Sequence, residues 1–292
     1  MQLLVNGLIA GSLGALMAGG LALVYGTLGI FNLALGQMVL FGGYVTWWLY
    51  QVQHLPLLLS ILGGTAFGAL LAWGTYEIFV APFYKRHRFL PLVTTIALSM
   101  ILDGAILLLF EERPRSILPG LKESVTILGA RISEQQIMLI LLTLLILGIF
   151  AHTLHCTALG RKIRAVVSHP EAASSLGIRA SVLHRFVFIV SGVLAAWSGM
   201  FLGIDQNLSP VLGFPITIKA YAAIIAGGKG NFWGAILCAY IIALLEQFVV
   251  GVHWLGIFYV PAGYQGTVAL IFIILFLLFK PTGLFATRAR VA

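Results

Sequence analysis

Four ionisable residues, Glu77, Asp103, His152 and Glu246, fall inside or beside long apolar runs. Charge at membrane depth is costly, so such residues mark ion paths, proton relays or internal pairs. A relay needs several titratable groups along one path, and these four sit on four separate runs. Asp103 and Glu246 lie deepest and are expected to be paired by hydrogen bonds within a bundle. Glu77 and His152 fall near run ends, where interfacial solvation suffices. Covalent chemistry has less support. No nucleophile–base constellation is visible, and Cys156 and Cys238 offer neither a disulfide framework nor metal-ligand spacing. Both cysteines are expected to be buried, small apolar side chains. No catalytic residue and no metal ligand is assigned. The chain has no G-x-x-x-x-G-K-[ST] phosphate loop, so no cofactor is expected on it, and ATP with Mg would have to bind on partner subunits.

A second kind of site is the polar interruption Ser168-His169-Pro170-Glu171-Ala172-Ala173-Ser174-Ser175-Leu176-Gly177. It predicts a short helix with Ser168 as N-cap and Glu171 completing a capping box. Pro170 suits the first turn, where its missing N–H costs nothing, and Gly177 supplies the left-handed stop. A well-formed helix standing in water between two spans is there to be presented to a partner.

The elements that position these residues must be membrane helices. The chain is 60% hydrophobic and 9% charged, where soluble domains carry about a quarter charged residues. A span needs about 20 apolar residues, and runs near 3–27, 33–50, 55–80, 90–110, 135–155, 184–204, 214–228, 232–250 and 259–279 qualify. The fold class is therefore an all-α polytopic bundle of about 8–10 transmembrane helices with broken or re-entrant segments. The first run lacks a basic leader and is expected to stay as a span. The net charge of +8 is a topology signal and not a nucleic-acid one. Lys85, Arg86 and Arg88 share one loop, Arg161, Lys162, Arg164, Arg179 and Arg185 surround the short helix, and Lys280, Arg288 and Arg290 form the tail. These segments, with Lys229, should face the cytoplasm. The charge-balanced loop near 111–134 suits the outside, so nine spans put the N-terminus in the periplasm and the C-terminus in the cytoplasm.

Two segments interrupt the helices. Gly26–Gln37 joins two runs without a charge and holds Gly29, Asn32 and Gly36. It is either a discontinuous helix lining a solute path or a tight hairpin between ordinary spans. Ala226–Gly234, with Gly227, Gly228 and Gly230, reads as a tight helix–helix turn. The breaks fall in opposite halves of the chain, a weak sign of repeated halves. Gln37, Asn32, Thr94, Thr95 and Ser99 could hydrogen-bond a small polar solute or bridge helices. Gly7-x-x-x-Gly11 is a small-residue pair suited to close helix contact. Asp205 and Lys219 flank an outer loop with Pro210 and Pro215, where solvation at the interface is the plainer role.

Taken in order, several segments resemble the LivH-type permease subunits of branched-chain amino acid ABC importers, nearly end to end. They are Leu23–Gly36, Pro91–Ser99, Leu159–Val166, His169–Ile178, Ala226–Asn231 and Phe279–Phe285. Leu35, Gln37, Lys229 and Asn231 depart from the residues most common there, which bears on the solute. The resemblance implies a single transmembrane permease domain over 1–292 in a bacterial inner membrane. Its partners would be the lipid bilayer, a second related permease, two ABC ATPase subunits and a periplasmic solute-binding protein, with no nucleic acid. Glu171, Ala172, Ala173 and Gly177 match the motif that docks on the ATPases, which makes the loop about 156–185 a coupling-helix loop. Gly29, Asn32, Gly36, Gln37, Thr94, Gly227 and Gly228 are the candidate solute path. The implied solute is a branched-chain or other hydrophobic amino acid. Urea or short amides through the same architecture are the alternative, and an ion-coupled secondary transporter or a channel are rivals of another class.

Overall fold

A lone apolar segment in lipid must satisfy its own backbone polar groups, and the α-helix is the form that does so. A computed structural model of the chain bears this out and describes residues 1–84, 86–87, 89–118, 124–127, 130–228, 230–251, 265–279 and 283–285. The cations Lys85, Arg88, Lys229, Lys280, Arg288 and Arg290, named above for topology, lie outside the described residues.

The helices are α1 (Gln2–Leu28), α2 (Leu35–Trp47), α3 (Leu57–Gly74), α4 (Ala81–Tyr84), α5 (Leu90–Phe110), α6 (Glu134–Cys156), α7 (Ala158–Ser168), α8 (Pro170–Ser175), α9 (Ala180–Asp205), α10 (Gly213–Gly227), α11 (Phe232–Gly251) and α12 (Gln265–Phe279). Wide π turns at Trp48–Val52 and Thr75–Val80 extend α2 and α3, and a 3-10 turn at Pro210–Leu212 leads into α10. Among the described residues, seven helical segments are long and apolar enough to cross a membrane. Of the two remaining expected spans, 33–50 coincides with the shorter α2, and 265–279 of the expected 259–279 is α12, residues 259–264 lying outside the described residues. A hairpin, β1 (Ser124–Ile127) with β2 (Ala130–Ser133), pairs Ser124 with Ser133 in the loop ahead of α6. The sequence reading did not foresee it.

Lipid offers no hydrophobic drive to hold helices together, so small residues that admit close packing must do so. That rule places α9 at the centre. Gly192 of α9 faces Gly68 and Ala72 of α3, and Gly199 lies against the backbone of Val39 and Gly43 of α2. Gly42 of α2 sits on Ala196, and Gly20 of α1 sits on Ser191. Ser198 donates to the Leu13 carbonyl at 3.0 Å, tying α9 to α1. The Gly7 and Gly11 pair does what its spacing suggested, nesting α1 on Leu244 and Tyr240 of α11. At the rim, Tyr44 of α2 stacks on Phe110 of α5 at 4.7 Å. Cys238 is buried as expected, but Cys156 is exposed, because α6 ends there and leaves the bundle.

A side chain at Gly199 would run into the Val39 carbonyl, a backbone group that cannot swing away. Gly74 has open space around it. Gly199→Leu is expected to cost about 3 kcal/mol or more through overpacking, with a lower thermal midpoint and reduced yield of the detergent-solubilised protein. Gly74→Leu should leave both near wild type. Equal behaviour of the two variants would refute α9 as the packing centre.

Candidate functional site

The polar interruption carries the one short helix expected, α8, and the loop about 156–185 holds a second, α7, ahead of it. Thr157 caps α7, its hydroxyl accepting from Gly160 N–H at 3.4 Å. Gly160 is required there, since a side chain would strike the carbonyls of Thr153 and Leu154 at the end of α6. Arg164 folds back and donates to the Leu154 and His155 carbonyls, which α6 leaves without helical partners. Ile163 and Val166 face inward, while Arg161, Lys162 and Arg164 stay exposed.

The cap of α8 differs from expectation. His169, not Ser168, is the N-cap residue, at φ −143°, and it makes no side-chain cap bond. Ser168 is taken up as the last residue of α7, so it cannot also open α8, and Pro170 then occupies the first position as predicted. The far end matches the reading. Gly177 adopts φ 80°, its N–H donates to Ser174 O at 2.9 Å, and Ile178 N–H donates to Ala173 O at 3.0 Å. This pair of bonds is the Schellman arrangement, which closes the helix firmly. Ala173 is 1% exposed and anchors α8. Glu171, Ala172 and Gly177 face outward, with Leu176 at 79% exposure beside them. The base of α9 is clamped to the end of α3, where Glu77 pairs with Arg185 and Tyr76 donates to Ser181 O at 3.3 Å. Glu77 is thus a pairing residue at a span end.

The segment after α1 is no tight hairpin. Gly29 ends α1 in the left-handed region, φ 67°, and residues 30–34 climb without helix to the start of α2. The Gly36 N–H donates to Thr217 Oγ1 at 3.0 Å. Thr217 lies ten residues before the end of α10, roughly 15 Å up its axis at about 1.5 Å per residue. α2 therefore starts deep in the bundle. Three N–H groups at its start find protein acceptors: Asn32 Oδ1 accepts from Ala34, the Asn32 carbonyl from Leu35, and Thr217 from Gly36. Thr95 accepts from Leu33 N–H at 3.4 Å and donates its one proton to the Pro91 carbonyl at 2.8 Å, with the Phe31 carbonyl at 3.3 Å as the alternative acceptor. Gln37 donates to Asp103 Oδ1 at 3.3 Å, the internal pairing expected for Asp103.

The candidate path residues thus fall into four groups. Asn32, Gly36 and Gln37 meet at depth, joined by Thr95, Asp103 and Thr217, and Gly36 is close-packed on Gly213. Thr94 turns to the other side and donates to Phe79 O. Gly29 ends α1. Gly227 and Gly228 lie at the far end of α10, where Gly227 packs on Gly234 and Gly228 takes φ 105°. There the expected tight turn is observed. Asn231 Oδ1 accepts from Gly234 N–H at 3.1 Å and caps α11. Asn231 Nδ2 donates to Phe285 O at 2.9 Å. Leu284 and Phe285 N–H groups reach the last carbonyls of α10, Ala226 and Gly227.

Lys219 corrects the reading most. It is not a solvated interfacial residue, since it lies inside α10 and its Nζ contacts Glu246 Oε2 of α11 at 2.9 Å. Opposite charges on consecutive spans flanking a tight turn were a signal available in the sequence. At the other rim, Arg115 and Leu208 exchange both backbone hydrogen bonds, at 3.0 and 2.7 Å. This joins the loops near 111–134 and 205–215, and Arg115 lies over the Trp47 ring at 4.8 Å.

A family model described as "Branched-chain amino acid transport system / permease component" matches residues 3–278. The high-affinity branched-chain amino acid transport system permease protein BraD of Pseudomonas aeruginosa is 30% identical over 97% of this chain and 95% of its own length. The corresponding LivH protein of Escherichia coli K12 is 26% identical over 97% of this chain and 94% of its own. A more distant relative, the ribose import permease protein RbsC of Haemophilus influenzae, is 27% identical over 81% of this chain and 73% of its own. The chain belongs to the family of permease components of branched-chain amino acid transport systems.

Proposed function

We propose that this chain, over 1–292, is one membrane-spanning permease domain of an ATP-driven, binding-protein-dependent importer of branched-chain or other hydrophobic amino acids in a bacterial inner membrane. The observation that carries the reading is α8: a short helix capped at its far end, anchored by Ala173 and exposed through Glu171, Ala172 and Gly177. Its two-bond closure makes it stiff, and its link through Ile178 to the base of α9 joins it to the helix on which α1, α2 and α3 pack. Two ATPase subunits, which carry ATP and Mg, dock on this loop and push on the centre of the bundle. With the basic face of α7 set in the cytoplasm, the N-terminus faces the periplasm and the C-terminus the cytoplasm.

On the opposite rim, the loops joined by the Arg115–Leu208 bridge receive a periplasmic binding protein. α5 leaves Val93, Met100, Ile101 and Leu108 exposed, an apolar face suited to lipid or to a second, related permease. The names borne by the similar proteins favour an amino-acid solute over urea or short amides. Rocking of helices around a site near mid-depth supplies alternating access, and no covalent step is involved.

Glu171→Lys should leave membrane insertion intact but abolish both copurification with the ATPases and uptake. Gly177→Val should act the same way, because a β-branched residue is strained at positive φ. Undiminished uptake in either variant would remove α8 as the docking element. In reconstituted vesicles with the cognate binding protein, leucine uptake is expected and urea uptake is not. Uptake of urea alone would overturn the solute class.

A further inference from the structure

A cavity of about 240 Å³ lies between α1, α9, α10 and α11, with Lys219 on its wall and Glu246 paired to that lysine from behind. That is below the roughly 300–1,000 Å³ of pockets for drug-sized ligands and suits a solute of amino-acid size. Leu13, Met17, Ile216 and Ile242 form its apolar side, and Gln206 and Gln247 also line it. The two charges are unequally placed. Glu246 is sunk to 4% side-chain exposure, while 35% of the Lys219 side chain is accessible. Lys219 lies eight residues before the end of α10, about 12 Å along the axis, so the pair sits well inside the bundle.

Desolvating two charges in apolar surroundings commonly costs more than their attraction returns, so an internal ion pair is a poor device for stability alone. Charged groups at membrane depth that face a cavity mark ligand paths. Here a fixed anion holds an ammonium at the edge of a small, apolar-walled space. A bidentate acceptor such as a carboxylate can share that ammonium, whose three donors are not exhausted by one carboxylate oxygen.

We infer that this cavity is a solute site, in which Lys219, held by Glu246, takes the carboxylate of an amino acid while Leu13, Met17, Ile216 and Ile242 enclose its apolar side chain. The inference rests on the proposed function and specifies the site where the solute is carried. It moves recognition away from the Asn32–Gly36–Gln37 cluster, which is close-packed, to the adjoining interface of α1, α10 and α11.

The test is a double-mutant cycle in the whole reconstituted importer with saturating binding protein, using leucine as probe. Lys219→Met, Glu246→Met and the double variant are compared in thermal midpoint, binding-protein-stimulated ATP hydrolysis and leucine uptake. Each single variant strands one charge and should lower both midpoint and uptake. The double variant removes the pair at similar volume and should regain the wild-type midpoint and ATP hydrolysis. Its uptake should stay about tenfold or more below wild type, the loss expected for one charge-assisted hydrogen bond. Recovery of uptake along with the midpoint would show a structural pair and overturn the inference. Loss of stimulated hydrolysis in the stable double variant would assign the pair to coupling and also overturn it. If the wild-type complex itself moves no leucine, the amino-acid reading of the importer falls first, and the site as stated here falls with it.

Discussion

The constraint on which the structure depends is the near contact of backbones around α9. Gly192 and Gly199 bring α3 and α2 so close that a single added carbon would strike a neighbour or its main chain. In lipid, where apolar side chains gain little by meeting each other, this closeness is what association rests on. It also explains the interior breaks. A helix can start deep in the bundle only if protein supplies what water cannot, and α2 can do so because Thr217, Thr95 and Asn32 are pressed against its first turn. The first turns of α2 and α10 meet where Gly36 abuts Gly213, so each covers the other's start.

The same closeness has a mechanical side. Tightly packed cores are bistable rather than soft, since they move between discrete arrangements instead of deforming smoothly. A helix wedged against three others by glycines will carry displacement at its base to all of them. The base of α9 is where Glu77 and Arg185 pair and where α8 attaches through Ile178. Displacement of α8 would thus reach the base of α9 directly, and also α7, on which α8 packs.

Much of this was legible in the residues. Gly177 announced a left-handed stop, Pro170 a first turn, and Gly7 and Gly11 a close contact, because each rests on local rules that tertiary packing does not override. The break after Gly29 was visible, but its depth was not, since depth is set by Thr217, a residue 181 positions from its partner Gly36. Ser168 opens no helix because α7 claims it first, and α7 is hidden in the sequence because Arg161, Lys162 and Arg164 break up its apolar residues into a stretch that reads as a basic loop. Lys219 was misplaced because a lone lysine near prolines reads as solvated until its partner 27 residues on is brought alongside. Local stereochemistry can be read from a string, whereas pairings across the bundle need the fold.

The clip between the end of α10 and Leu284–Phe285 has a consequence for assembly. Asn231 is joined to Phe285 across 54 residues, and the last carbonyls of α10 find their donors in the same stretch. Chains emerge from the ribosome N-terminus first, so α10 and α11 leave it before that stretch does. Until it is made, the lower end of α10 stays incompletely bonded and the turn beside it is held from one side. Closure of this corner is thus a late event in biogenesis, and it follows the threading of α12, when the chain returns to seal a helix laid down long before.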